Sequence, residues 1–101
     1  MASPFQTYTL HYQSGGTSEA MIQLFNAGVF IGNLSFHQDG TALPPNVLQA
    51  NGIHDVHYHL SRFRDVLQIL QYEKPLHIRI VNGVAALMAT GFEPVGEQEG
   101  H

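Results

Sequence analysis

Cysteine and tryptophan are absent from this 101-residue chain, and only 12% of its residues are charged. Without cysteine there is no disulfide, no thiol nucleophile and no thiolate ligand for a metal. The charged share is about half of the ~25% usual for soluble domains, so the surface must be covered by Gln, Asn, Ser, Thr and His. Few like charges then hold copies of the chain apart, and self-association is the expectation. The four cations, Arg62, Arg64, Lys74 and Arg79, against a net charge of −4 make no basic field for a phosphate backbone, which argues against duplex nucleic acid as a partner. No apolar run approaches the ~18 residues of a membrane span, and the first five residues hold no basic segment leading into an apolar one. A soluble, cytoplasmic protein that engages no membrane is expected.

What the chain does contain is alternation. From Phe5 to Tyr12, Tyr8, Leu10 and Tyr12 alternate with Thr7, Thr9 and His11, the period of a half-buried strand. Ser14–Ser18 is a glycine-containing turn cluster, and Ala20–Phe25 returns as an apolar strand. Asn26-Ala27-Gly28 has hairpin composition with glycine suited to the left-handed position, and Val29–His37 follows with Phe30, Leu34 and Phe36 on one face. Gly32 shares that face and predicts a β-bulge, a bend or a close backbone approach, the bulge being favoured. Gln38–Gly52 holds Asp39-Gly40, Pro44-Pro45 and Asn51-Gly52, which makes it the longest loop, pinned by Leu43, Val47 and Leu48. Val56, Tyr58 and Leu60 then alternate with Asp55, His57 and His59 as a fourth strand.

Ser61 is placed to cap a helix, behind which Phe63, Val66, Leu67 and Leu70 recur on one helical face. Pro75 ends that helix near Glu73, because it disfavours helical geometry in the residue before it. Leu76–Ile80 and Val84–Thr90 flank Asn82-Gly83, the strongest short hairpin signal. The fold class is therefore α+β: an antiparallel sheet of five to six strands, in which a meander, one amphipathic helix and a C-terminal hairpin follow in order, with the helix on one face. Residues 1–91 make a single domain, and residues 92–101 form a polar, flexible tail. One short helix cannot cover such a sheet, so its uncovered apolar area points to a second subunit.

Two constellations carry chemistry. In His54-Asp55-Val56-His57-Tyr58-His59, a strand points Asp55, His57 and His59 the same way, an ordinary ligand set for a divalent metal. The plainer reading makes them polar side chains on a solvent face. Arg62 and Arg64 occupy the first helical turn, where the helix dipole favours anions. With Ser61 and free backbone N–H groups they would hold a phosphate or carboxylate, unless Arg62 merely pairs with Asp65 or Asp55 and Arg64 lies along Gln68. No nucleophile elbow, phosphate loop or dinucleotide fingerprint occurs, so a non-enzymatic role is favoured without catalysis being closed off. The expectation is a self-associating, dimeric protein-interaction or assembly module with no cofactor. The alternative is a domain that binds a metal, an anion or another small ligand, with or without catalysis, through His57, His59, Arg62 and Arg64.

Overall fold

Each alternating segment becomes a strand in the computed structural model, and the strands divide between two sheets. Residues 3–12, 19–73 and 75–89 are described; the turn cluster at 14–18 and the tail at 92–101 lie outside them. In chain order the elements are β1 (Ser3–Phe5), β2 (Thr7–Tyr12), β3 (Ala20–Asn26), β4 (Val29–His37), β5 (Val47–Leu48), β6 (His54–His59), a 3-10 turn (Leu60–Arg62), α1 (Phe63–Tyr72), β7 (Leu76–Val81) and β8 (Val84–Ala89). The larger sheet runs β2-β3-β4-β6-β5 and the smaller β1-β7-β8. The fold is α+β with mostly antiparallel pairing.

The single sheet expected from the sequence is divided because the first strand breaks at Gln6. Phe5 pairs with Leu76 in the smaller sheet, whereas Thr7 pairs with Phe25 in the larger one. Gln6 secures the junction: its N–H donates to the Phe25 carbonyl at 3.0 Å, and its Oε1 accepts from the Ala27 N–H at 2.9 Å. A second departure is that β6 lies parallel to β4, in register from Gly32 with His54 to His37 with His59. Parallel neighbours need a crossover of a dozen residues or more, and the segment between β4 and β6 supplies it. Within that crossover β5 pairs antiparallel with β6, a strand too short for alternation to show.

The core gathers Phe5, Ile22, Leu24, Leu34, Phe36, Val56, Val66, Leu70, Leu76 and Ile78 from both sheets and the helix. Phe63 at the start of α1 meets Phe36 edge-on at 5.1 Å and Tyr12 at 5.6 Å, the geometry that aromatic quadrupoles favour. The helix does not cover the whole sheet: on the edge strand β2, Leu10 remains 45% exposed although it lies opposite the buried Ile22.

The bulge expected near Gly32 is present. Leu24 faces Gly32 and Phe25 faces Phe30, so Ile31 is the extra residue. The close approach is there too, since a Cβ on Gly32 would stand 3.4 Å from the Leu24 side chain and 3.5 Å from the His54 Cβ. The extra residue reverses the strand's facing. Phe30 therefore packs beside Phe25 at 5.8 Å, on the opposite side from Leu34 and Phe36, and not with them as alternation alone implied.

Two further expectations are corrected. Ser61 does not cap the helix with its side chain; it sits inside the 3-10 turn that precedes α1. Its backbone N–H instead donates to the Asp39 Oδ1 at 3.0 Å, so a carboxylate from the loop serves the helix start. Leu43, Val47 and Leu48 do not pin the crossover by burial, for all three are exposed; hydrogen bonds accepted by the Asp39 and Asn46 side chains and the Thr41 carbonyl do. The helix ends as expected, with Glu73 extended and its N–H on the Ile69 carbonyl. Both two-residue hairpin turns use left-handed backbone, at Ala27-Gly28 and Asn82-Gly83, as the strand twist demands.

Candidate functional site

Period-two alternation gives the larger sheet an apolar face against the core and a polar face on the other side. On the polar face, β4 contributes Asn33, Ser35 and His37, and β6 contributes Asp55, His57 and His59. The parallel register sets Asn33 beside Asp55, Ser35 beside His57 and His37 beside His59. Six polar side chains thus share one two-strand platform.

Three of them form a chain. The Asp55 Oδ2 lies 3.2 Å from the His57 Nε2, and the His57 Nδ1 lies 2.9 Å from the His37 Nε2. A carboxylate only accepts, so the His57 Nε2 carries a proton and donates to Asp55. With a neutral His57 the Nδ1 is then an acceptor, and the His37 Nε2–H donates to it. The His57 side chain is only 10% exposed and Asp55 31%, so one member is nearly enclosed while the chain stays open to solvent at Asp55.

The backbone beneath is held as well. The His57 N–H donates to the Asn46 Oδ1 at 2.8 Å, and the Asn46 amide donates to the Gly83 carbonyl at 3.1 Å, joining β6 to the β7–β8 turn. The His59 Nε2–H donates to the Thr41 carbonyl at 2.7 Å, which turns that ring toward the crossover. Asn33 donates to the Ser35 Oγ at 3.1 Å, while its Oδ1 is buried without a hydrogen-bond partner.

Of the residues marked from sequence for a metal, Asp55 and His57 are brought into contact, and His59 is committed to Thr41. Among the described residues no group of three or more His, Asp or Glu side chains is arranged to ligate a metal. Of those marked for an anion, Ser61 gives its N–H to Asp39, and Arg62 and Arg64 are exposed without an ion pair among the described residues. Arg64 lies along the outer side of the helix with Leu67 and Gln68. A concavity of about 470 Å³ opens at the far end of α1, between β1, β7 and the last helical turn, where Tyr72 and Glu73 are its titratable side chains.

No family model, curated protein or solved structure matches this chain. Geometry alone carries the functional reading. His37 is the site residue that sequence reasoning missed, because it is twenty positions from His57 and only the parallel register brings the two together. Asn46 and Asp39 were missed likewise, each standing in a loop whose polar side chains carry no periodic signal.

The opposite face of β6 presents a contrast. His54 is 1% exposed, donates from Nδ1 to the Ile31 carbonyl at 3.0 Å, and leaves its Nε2 buried without a hydrogen-bond partner. The bulge supplies the acceptor, since Ile31 is the residue stepped out of the ladder. Two residues from Val56 on this same face, Tyr58 stacks on Phe36 at 5.4 Å, and burial raises its hydroxyl pKa above the ordinary 10.0.

Proposed function

We propose that the chain is a self-associating assembly domain that dimerises by pairing the outer edges of β8. The observation that carries this reading is the character of that strand. Val84-Ala85-Ala86-Leu87-Met88-Ala89 lies at the border of the smaller sheet and contains neither a charge nor a proline. Natural sheets protect their borders with lysine, proline, bulges or a covering segment. Among the described residues no strand pairs with the outer side of β8, and Val84 at its start is 68% exposed, its partner Val81 on β7 45%.

A strand edge pairs with its own copy antiparallel, and that arrangement has two-fold symmetry, the commonest closed symmetry of soluble oligomers. Each copy would satisfy the other's unpaired N–H and C=O groups, and the two smaller sheets would become one continuous sheet. The low charge of the whole chain favours the same outcome, because little repulsion opposes it. The other long border, β2, interleaves its apolar residues with Thr7, Thr9 and His11 and is less suited to a dry contact.

Light scattering on the eluted peak of a sizing column checks the proposal. The expected mass is that of a dimer at high micromolar concentration, falling to a monomer for Val84→Lys and for Ala86→Lys. A monomeric parent chain, or a dimer that both lysines leave intact, would overturn it.

A further inference from the structure

We infer that the polar face of the larger sheet is a binding site for a divalent transition metal, with His37 and His57 as its protein ligands and Asp55 as the carboxylate that orients His57. The Nε2 of His37 and the Nδ1 of His57 point at one another across 2.9 Å. A zinc ion held by two imidazoles at 2.0–2.1 Å in tetrahedral geometry sets their nitrogens about 3.3 Å apart. The two nitrogens therefore need to part by only a few tenths of an ångström, with each ring turning so that both lone pairs converge on an ion beside the line that joins them.

The surroundings suit that exchange. A metal-binding imidazole commonly donates its other ring N–H to a carboxylate, which fixes the tautomer and makes the ligand nitrogen more basic. Asp55 does this to His57 already, at 3.2 Å. His57 is fixed from its backbone by Asn46 as well, so the nitrogen that would bind the metal is aimed before the metal arrives. His37 changes tautomer on binding, its proton moving from Nε2 to Nδ1. Imidazole pairs favour ions such as zinc, copper and nickel over magnesium or calcium. With two ligands from the protein, water completes the coordination, and the ion is exchangeable.

The ligand set differs from the sequence reading in a testable way. His59 is committed to the Thr41 carbonyl and stands outside the set, and Asp55 acts through His57.

Zinc titrated into the chelator-stripped chain by calorimetry is expected to bind with one ion per chain. His37→Ala and His57→Ala should each lower the affinity at least tenfold, and Asp55→Ala by roughly 10–100-fold. Asp55→Asn keeps an oxygen to accept from Nε2 and should recover much of that loss, whereas a direct carboxylate ligand would not be rescued. His59→Ala and His11→Ala should leave the affinity unchanged. A second readout uses the unaltered chain: nitrogen NMR of the imidazoles should show the His37 Nε2 and His57 Nδ1 moving on zinc addition, with the His59 and His11 rings still. Absence of stoichiometric binding, or ring shifts centred on His59, would overturn the inference.

Discussion

His54 and His57 stand three residues apart on one strand and differ in almost everything a histidine can do. His54 faces the core, where one ring nitrogen meets a carbonyl and the other meets hydrocarbon. His57 faces away, where one ring nitrogen meets a carboxylate and the other a second imidazole. The side chain is the same; the sheet face chooses its work. On the apolar face an imidazole is a shaped filler with one hydrogen bond, and on the polar face it is a link between a carboxylate and a second imidazole.

The largest test of this contrast lies on β4, where Ser35 and Phe36 are both buried but on opposite faces. Phe36→Ala should cost about 3–5 kcal/mol, because the ring touches Tyr58 and Phe63 and its loss leaves a cavity. Ser35→Ala should cost about 1 kcal/mol, the worth of one modest hydrogen bond. Denaturant melts of the two variants measure the gap, and equal losses would break the division into a packing face and a polar one.

The next test sets the two histidines directly against each other. His54→Ala should cost about 2 kcal/mol or more, combining a cavity with an orphaned Ile31 carbonyl. His57→Ala should cost less than about 1 kcal/mol, since solvent reaches Asp55 and takes over its hydrogen bond. Thermal unfolding with and without zinc sharpens this further: only the His57 variant should lose a stabilisation by zinc.

The smallest effect is alkaline. Tyr58 holds its proton more tightly in the folded chain than at its ordinary value of 10.0, because burial disfavours the phenolate. The unfolded chain therefore releases this proton first, and the tyrosine's contribution is complete below pH 10 and is lost as pH rises past it. Unfolding curves above pH 10 should show Tyr58→Phe falling less steeply than the parent chain. Parallel slopes would mean that the face is wet at Tyr58.

Which parts of this were legible beforehand follows from the range of the interactions. Strand and helix positions rest on local periodicity, so Phe63 to Leu70 on one helical face and the Asn82-Gly83 hairpin could be read directly. Gly32 announced its bulge because a glycine among apolar alternating residues has few other reasons to be there. The division into two sheets was not read, because Phe5, out of phase with Tyr8, Leu10 and Tyr12, is a single residue and does not say which strands lie beyond Gln6; only the distant partners, Leu76 and Phe25, separate Phe5 from Thr7. The site was half legible for the same reason. Asp55 and His57 are neighbours on one strand face, while His37 arrives through a parallel pairing that no hairpin turn declares. The anion reading at Ser61, Arg62 and Arg64 rested on the helix start alone and could not see Asp39 approaching Ser61 from the crossover.

The break at Gln6 also sets the order in which the molecule can be completed. Among the described strands β1 is made before the others, yet its partner β7 follows the helix, so Ser3 meets Ile78 only after nearly all of the described chain exists. Contacts so distant in sequence are slow to close. Until they do, the nascent chain carries an unpaired β1 at one end of a larger sheet whose own strands are already made. The smaller sheet is thus a clasp fastened by strands far apart in the chain, and removing the residues up to Phe5 or ending the chain before Leu76 would release the same joint.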